Sequence, residues 1–363
     1  MPTLLDTIGL DLHKRETQVC ILTADGELIE RRIATTRARL TEVLGNRPHA
    51  RILVEASTES EWVARHLETL GHEVIVADPS YAPMYATRSR RVKTDKRDAR
   101  TLAEACRLGA YRAVHRVSDA QRHVRSELAV RDALVRTRTR YVALIKARVR
   151  SEGLRLPQGE PERTVAKLDA LAELPQATRD ELAPLLLLLA PLNTAIAAAD
   201  RHIAELVATD PVVRLLTTAP TIGPVTAAAF VATLDNVTRF ASADQVSAYL
   251  GLVPSEHSSG ERQHRGRITK TGDTRMRWLL VEAGWRILRS TNPDVQDLKA
   301  WGQGIAERRG TRVAVRGARA QARHHALCHV ARRRAVSCGT SPRHGGRRVA
   351  RARPVAPHVR ATR

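Results

Sequence analysis

Thr7-Ile8-Gly9-Leu10-Asp11 is an apolar run, short enough for one strand, that ends on a carboxylate. The pattern returns at Ile52-Leu53-Val54-Glu55, a second buried run closed by a second acid. A third segment, Lys93-Thr94-Asp95-Lys96-Arg97-Asp98-Ala99, sets two acids three positions apart, which on a helix is one face. Four carboxylates at the ends of such elements are the donor set Mg²⁺ prefers, because a small divalent cation takes hard oxygen ligands. Clusters of this kind serve phosphoryl transfer, where two ions steady the attacking and leaving oxygens of an in-line displacement. Asp11, Glu55, Asp95 and Asp98 are therefore the expected metal ligands, and two Mg²⁺ ions the expected cofactor. His13 and Lys14 stand where they could meet phosphate, but His13 reads better as an ordinary strand-end residue.

Outward from the first run, residues 7–11, 17–22 and 27–33 read as three strands, with Ala24-Asp25-Gly26 turning the second into the third. A helix over 37–44, a strand over 51–55, a helix over 59–70 stopped by Gly71 and a strand over 73–77 follow. A three-strand meander followed by alternating helix and strand is the ribonuclease-H-like α/β plan. Residues 118–150 then read as a long helix, with Val124, Leu128, Val135, Val142, Ile145 and Val149 on one face. Nine basic residues between 121 and 150 face only Glu127 and Asp132, an imbalance that favours a nucleic-acid-facing helix. Residues 153–161 have linker composition. A second helix is expected over 192–206, its 3.5-residue apolar spacing fitting core packing or a dimeric coiled coil equally well.

Beyond residue 209 the chain is mainly helical. Pro220-Thr221-Ile222-Gly223-Pro224-Val225-Thr226-Ala227 resembles a helix-hairpin-helix turn, with Gly223 at a helix start where backbone amides hold phosphate. Ser258-Ser259-Gly260 is by spacing alone a turn. Arg262, Arg265 and Arg267 nearby supply the cations that a serine nucleophile towards phosphate requires, and His257 or an oxygen of the metal cluster could take its proton.

The net charge of +22 favours a polyanionic partner. Thirteen of those charges are arginines between Arg316 and Arg363, a stretch without one acid, so the preceding 315 residues carry +9 (22 less 13). The only long aliphatic run, Leu185 to Leu189 between Pro184 and Pro191, is too short to span a bilayer. No signal peptide is visible, and Cys20, Cys106, Cys328 and Cys338 form no CxxC pair. A cytoplasmic protein with reduced thiols and no membrane partner is expected.

The four acids, the Lys93–Ala99 segment, the Pro220–Ala227 turn, Tyr249-Leu250-Gly251-Leu252-Val253-Pro254 through Ser259-Gly260, and Gly266-Arg267-Ile268-Thr269-Lys270-Thr271-Gly272 together strongly resemble one family. It is the DEDD transposase family of bacterial insertion sequences, the IS one-ten group, whose members are bridge-RNA-guided recombinases. The resemblance covers about residues 6 to 312. It implies a RuvC-like nuclease domain over 1–117, a helical coiled-coil region over 118–208 and a transposase C-terminal domain over 209–312. It also implies that Asp11, Glu55, Asp95 and Asp98 bind the metals, and that Ser259, or in a less favoured register Ser258, bonds covalently to DNA. Lys93, Arg97, Gly223, Arg262, Arg265, Arg267 and Lys270 are the candidate nucleic-acid contacts. The implied partners are DNA, a structured noncoding RNA and further copies of the chain, whose two domains make composite sites across subunits. An aromatic content of 3% suits a protein that grips backbones while RNA reads sequence. Two rivals are a RuvC-like junction nuclease using activated water and a decayed, non-catalytic nucleic-acid-binding copy.

The chain departs from the family at its end: residues 313–363 are basic and of low complexity, an expected disordered tail where an apolar helix is usual. The 53 arginines against 7 lysines suit a GC-rich genome, in which out-of-frame translation yields arginine-rich, acid-free sequence. A frameshift near Arg316 is the expected origin of the tail. Resequencing the gene should uncover an intact helical terminus in another frame; its absence would remove the explanation.

Overall fold

A computed structural model describes residues 5–85, 95–256 and 265–311 and divides the chain into two compact units, Met1–Ser118 and Asp119–Arg363. In the first unit, β1 (Asp6–Leu12), β2 (Glu16–Leu22), β3 (Leu28–Ala34), α1 (Arg37–Leu44), β4 (Ala50–Glu55), α2 (Ser60–Thr69), β5 (Glu73–Ala77) and α3 (Asp95–Leu108) follow in order. The sheet order is β3-β2-β1-β4-β5, with the β1–β2 and β2–β3 pairs antiparallel and the β1–β4 and β4–β5 pairs parallel. This is the expected ribonuclease-H-like α/β arrangement.

Alternation along the strands decides which helix covers which face. Ile8, Leu10, Val19, Ile21, Ile52 and Val54 point one way and pack with Leu40 and Leu44 of α1 and Val63 and Leu67 of α2. Gly9, Cys20 and Leu53 point the other way, beneath α3, whose Ala99, Leu102, Ala103 and Cys106 are all buried. At Gly9 the helix lies directly on the strand. A Cβ there would run into the Ala99 carbonyl and the Ala103 amide and come within 2.9 Å of the Leu102 Cβ. Backbone cannot be displaced the way a flexible side chain can, so this position admits hydrogen alone.

The second unit contains α4 (Asp119–Ser151), α5 (Thr164–Asp169), α6 (Gln176–Leu206), α7 (Pro211–Thr217), α8 (Pro224–Leu234), α9 (Ala243–Tyr249), β6 (Pro254–Glu256), β7 (Arg265–Ile268), α10 (Thr274–Arg289) and α11 (Gln296–Arg309). Helices α4 and α6 run antiparallel, as their cross-links show: Arg131 reaches Asp200, Arg138 reaches Asn193, and Arg148 reaches Glu181. Helix α6 buries Leu182, Leu189, Ile196 and Ile203, one residue per heptad, against this partner.

The helix expected over 192–206 thus begins sixteen residues earlier, at Gln176, and holds Pro184 and Pro191 inside it. Each proline forgoes one backbone hydrogen bond at a cost of about 3 kcal/mol. Burial of Leu182 and Leu189 beside them returns about 1.5–3 kcal/mol each. By length and composition the resulting 31-residue helix could cross a membrane. Its partner, however, sets Arg131, Arg138 and Arg148 along it, which a hydrocarbon environment opposes.

The basic imbalance of α4 is largely consumed within this unit. Arg122, Arg131, Arg136, Arg138 and Arg148 pair with acids, and Arg125 donates to the Ala232 and Thr233 carbonyls at the end of α8. Arg140, Lys146 and Arg150 stay exposed. The remaining core gathers Val124, Leu128, Ile203, Leu216, Phe230, Leu250 and Leu280 from five helices and the Leu250 turn.

Gly9→Ala is expected to cost the first unit about 1–3 kcal/mol, the range for overpacking a rigid contact. Urea denaturation of the full-length protein should show the first transition moved to lower urea with the second unchanged.

Candidate functional site

Strand parity and the α3 contact together fix the acidic cluster. Asp11 lies two residues beyond Gly9 and Glu55 two beyond Leu53, so both carboxylates emerge on the α3 face. Leu10 pairs with Val54 across the parallel β1–β4 ladder, which sets Asp11 and Glu55 at the same end of adjacent strands. The first turn of α3 carries Asp95 and Asp98, just ahead of the Ala99 that meets Gly9. Asp98 is buried, Asp11 is 15% exposed at its side chain, and Asp95 opens to solvent at 59%. Glu55 accepts a hydrogen bond from the Tyr85 hydroxyl.

The electrostatics of Asp11 report the crowding. Burial raises its carboxyl above the ordinary value of 3.8, His13 pulls it down, and Asp95, Asp98 and Glu55 push it up again. All four predicted acids therefore act on one point. His13, read from sequence as an ordinary strand-end residue, has its Nε2 3.4 Å from Asp11 Oδ2 and 3.6 Å from Asp95 Oδ1. Asp11, His13 and Asp95 present ligand atoms within 4.8 Å of one another. Partly desolvated carboxylates that repel each other fit a hard divalent cation, which would hold them together and relieve the repulsion.

Of the other candidate residues, Arg97 is exposed on α3 beside Lys96, which pairs with Glu30 at 2.7 Å. Lys93, Ser258, Ser259 and Arg262 lie outside the described residues, as does the tail over 313–363. Arg265 belongs to β7, and Arg267 and Lys270 are exposed along and after it.

The two motif halves around that strand are zipped together: Thr269 N–H donates to the Val253 carbonyl at 2.9 Å and Lys270 N–H to that of Gly251 at 3.1 Å. Gly251 and Gly272 adopt φ of 65° and 80° with backbone pressed against them, a conformation glycine accepts without strain. Arg277 locks the junction by donating to the carbonyls of Leu250, Thr271 and Gly272. Gly223 caps α8 with no side chain of its own, ahead of Pro224 at the first helical position. A cavity of about 400 Å³ beside it is lined by Thr221, Gly223, Arg131, Arg286 and the exposed Trp278. Sequence reasoning missed Tyr85, Arg277 and Trp278. Arg277 had no local motif to mark it, whereas His13 had proximity to Asp11 as its signal.

Two family profiles match the chain in the order of its units. One, described as "Transposase" and built on DEDD transposases of the IS110 type, covers residues 8–151; the other, "Transposase IS116/IS110/IS902 family", covers residues 213–300. A Pseudomonas aeruginosa protein described as "Probable family 20 transposase" is 31% identical over 314 residues, which is 85% of this chain and 92% of that one. The chain belongs to the IS110 family of DEDD transposases.

It is similar as well to the transposase for insertion sequence element IS1111A of Coxiella burnetii, at 25% identity over 84% of this chain and 83% of that one. The transposase for insertion sequence element IS1328 of Yersinia enterocolitica is 27% identical over 76% of this chain and 81% of its own length. This protein is thus an insertion-sequence transposase, an enzyme that acts on DNA. In the transposase the first profile spans the acidic cluster, and the second spans the segment containing Ser259.

An acid whose folded value is raised is stabilised in its protonated form, so its ionisation costs stability. That cost is absent below 3.8 and grows as pH rises through the raised value. In metal-free buffer Asp11→Asn should therefore melt above the wild type at pH 7, with the margin narrowing towards pH 4 and closing when Mg²⁺ is added. Melting curves at the two pH values check the order.

Proposed function

We propose that this transposase exchanges DNA strands through a covalent Ser259–DNA intermediate, with Mg²⁺ held by Asp11, Glu55, Asp95 and Asp98 and with target choice delegated to a structured RNA. The observation that carries the reading is the convergence of the four carboxylates at one end of the sheet. Members of the family generally use divalent metal ions. Bound there, Mg²⁺ would supply charge neutralisation at the phosphate under attack.

The chain's own residues do the rest. The Gly9 contact holds α3 against β1, so Asp95 and Asp98 face Asp11. The Tyr85 hydroxyl orients Glu55. The imidazole of His13, between Asp11 and Asp95, orients both and is within reach to hold a proton. Ser259 Oγ loses its proton and forms a bond to the scissile phosphorus. The P–O bond to the departing strand breaks, and that strand leaves as a hydroxyl that takes up a proton. A hydroxyl of the incoming strand then attacks the same phosphorus and releases the serine, so the phosphodiester count is unchanged. Arg267 and Lys270, and by sequence Arg262 and Arg265, supply cations along the DNA backbone.

Self-association completes the proposal. Leu187 and Leu188 of α6 and Val130 and Leu144 of α4 leave apolar surface exposed on the helical pair, which suits pairing of copies. The cytoplasm is the proposed location, and the flanking noncoding sequence of the element the proposed source of the RNA.

With DNA carrying the element's ends and that RNA, denaturing gels should reveal a protein–DNA adduct. Ser259→Ala should abolish it and Ser258→Ala retain it. Asp11→Asn and Glu55→Gln should each slow exchange by at least about 100-fold, the scale of losing one electrostatic contact to the transition state. A Mg²⁺-dependent cut with no adduct would instead establish hydrolysis and exclude the serine route.

A further inference from the structure

Away from the acidic cluster, the second unit brings together a different donor set. His123 and Glu127 stand one turn apart on α4, and His202 reaches them from α6. Their ligand atoms lie within 4.8 Å of one another, and Glu127 Oε1 is 3.9 Å from His202 Nε2. Donors in a tetrahedral zinc shell with bonds of about 2.0–2.1 Å are separated by roughly 3.3 Å, so rotation of exposed side chains closes the shell without backbone movement.

The backbone beneath the three residues is fixed. Each ligand neighbours a buried core residue, with Val124 after His123, Leu128 after Glu127 and Ile203 after His202. The Arg131–Asp200 ion pair holds the register of the two helices one turn further on. His123 and His202 are exposed, which leaves an entry path and room for water as a fourth ligand.

We propose that His123, Glu127 and His202 form a transition-metal site of the Zn²⁺ class that clips α4 to α6. Two imidazoles and one carboxylate select borderline ions over Mg²⁺, in contrast to the carboxylate-dominated cluster of the first unit. The site needs neither DNA nor the transposition chemistry, and it ties the two long helices at the end where they enter the core of the second unit.

The test is titration of the full-length protein with Co²⁺, read by visible ligand-field bands, and competition by Zn²⁺. Comparison of the wild type with His123→Gln, His202→Gln and Glu127→Gln separates this site from other metal-binding residues of the chain. Loss of an outer-shell partner alone weakens metal sites by about 10–100-fold, so loss of a ligand should weaken this one by at least about 100-fold. Each variant should lose one equivalent of Co²⁺ and the Zn²⁺-dependent rise in melting temperature, with far-UV circular dichroism unchanged. Asp11→Asn should retain both, and Mg²⁺ should displace no Co²⁺ from the site. Equal stoichiometry and equal bands in wild type and the three variants would overturn the proposal, as would displacement of the bound Co²⁺ by Mg²⁺.

Discussion

Everything in the first unit depends on the absence of a side chain at Gly9. Because β1 presents only hydrogen there, α3 can lie with its Ala99 and Ala103 backbone against the strand. That approach lets the first turn of α3 carry Asp95 and Asp98 to the end of the sheet where Asp11 and Glu55 emerge. A helix held one methyl further out would still bury Leu102 and Cys106 but would carry its acids away from Asp11. The cluster is therefore made by packing rather than by attraction, since the groups it assembles repel one another. Stability is spent to keep like charges close, the arrangement expected of a site built for a cation.

The second unit solves a different problem, that of holding two helices of 33 and 31 residues together. Apolar contacts on a heptad spacing supply the attraction, and the Arg131–Asp200 and Arg148–Glu181 pairs supply the register. The pairs are partly exposed, and each is worth little alone. Their value lies in alignment, since a shift of either helix by one turn would break both together.

Much of this was legible in the chain. The meander, the alternation after it and the four acids follow from apolar runs whose ends carry charge, and the strands fall within a residue or two of their expected bounds. The rest needed tertiary information. The helix expected over 192–206 left out Pro184 and Pro191, because the burial that outweighs the two prolines belongs to α4, far away in sequence. His13 read as incidental, because its second neighbour, Asp95, comes from α3. How far the arginines of α4 are paired was hidden, because most of their carboxylate and carbonyl partners lie on other elements.

Arginine also serves this chain as mortar. Arg125 and Arg239 bind carbonyls at the end of α8, Arg179 binds those of Leu168, Leu171 and Leu174, Arg275 binds that of Leu128, and Arg277 gathers three more. These guanidiniums are bonded to neutral oxygen, so their positive charge persists while their donors are used up. A lysine cannot replace them, because a single ammonium cannot span two or three carbonyls in a plane. The excess of arginine over lysine thus has an architectural meaning as well as a genomic one. Formal charge overstates how many cations remain free to exchange counterions with a polyanion.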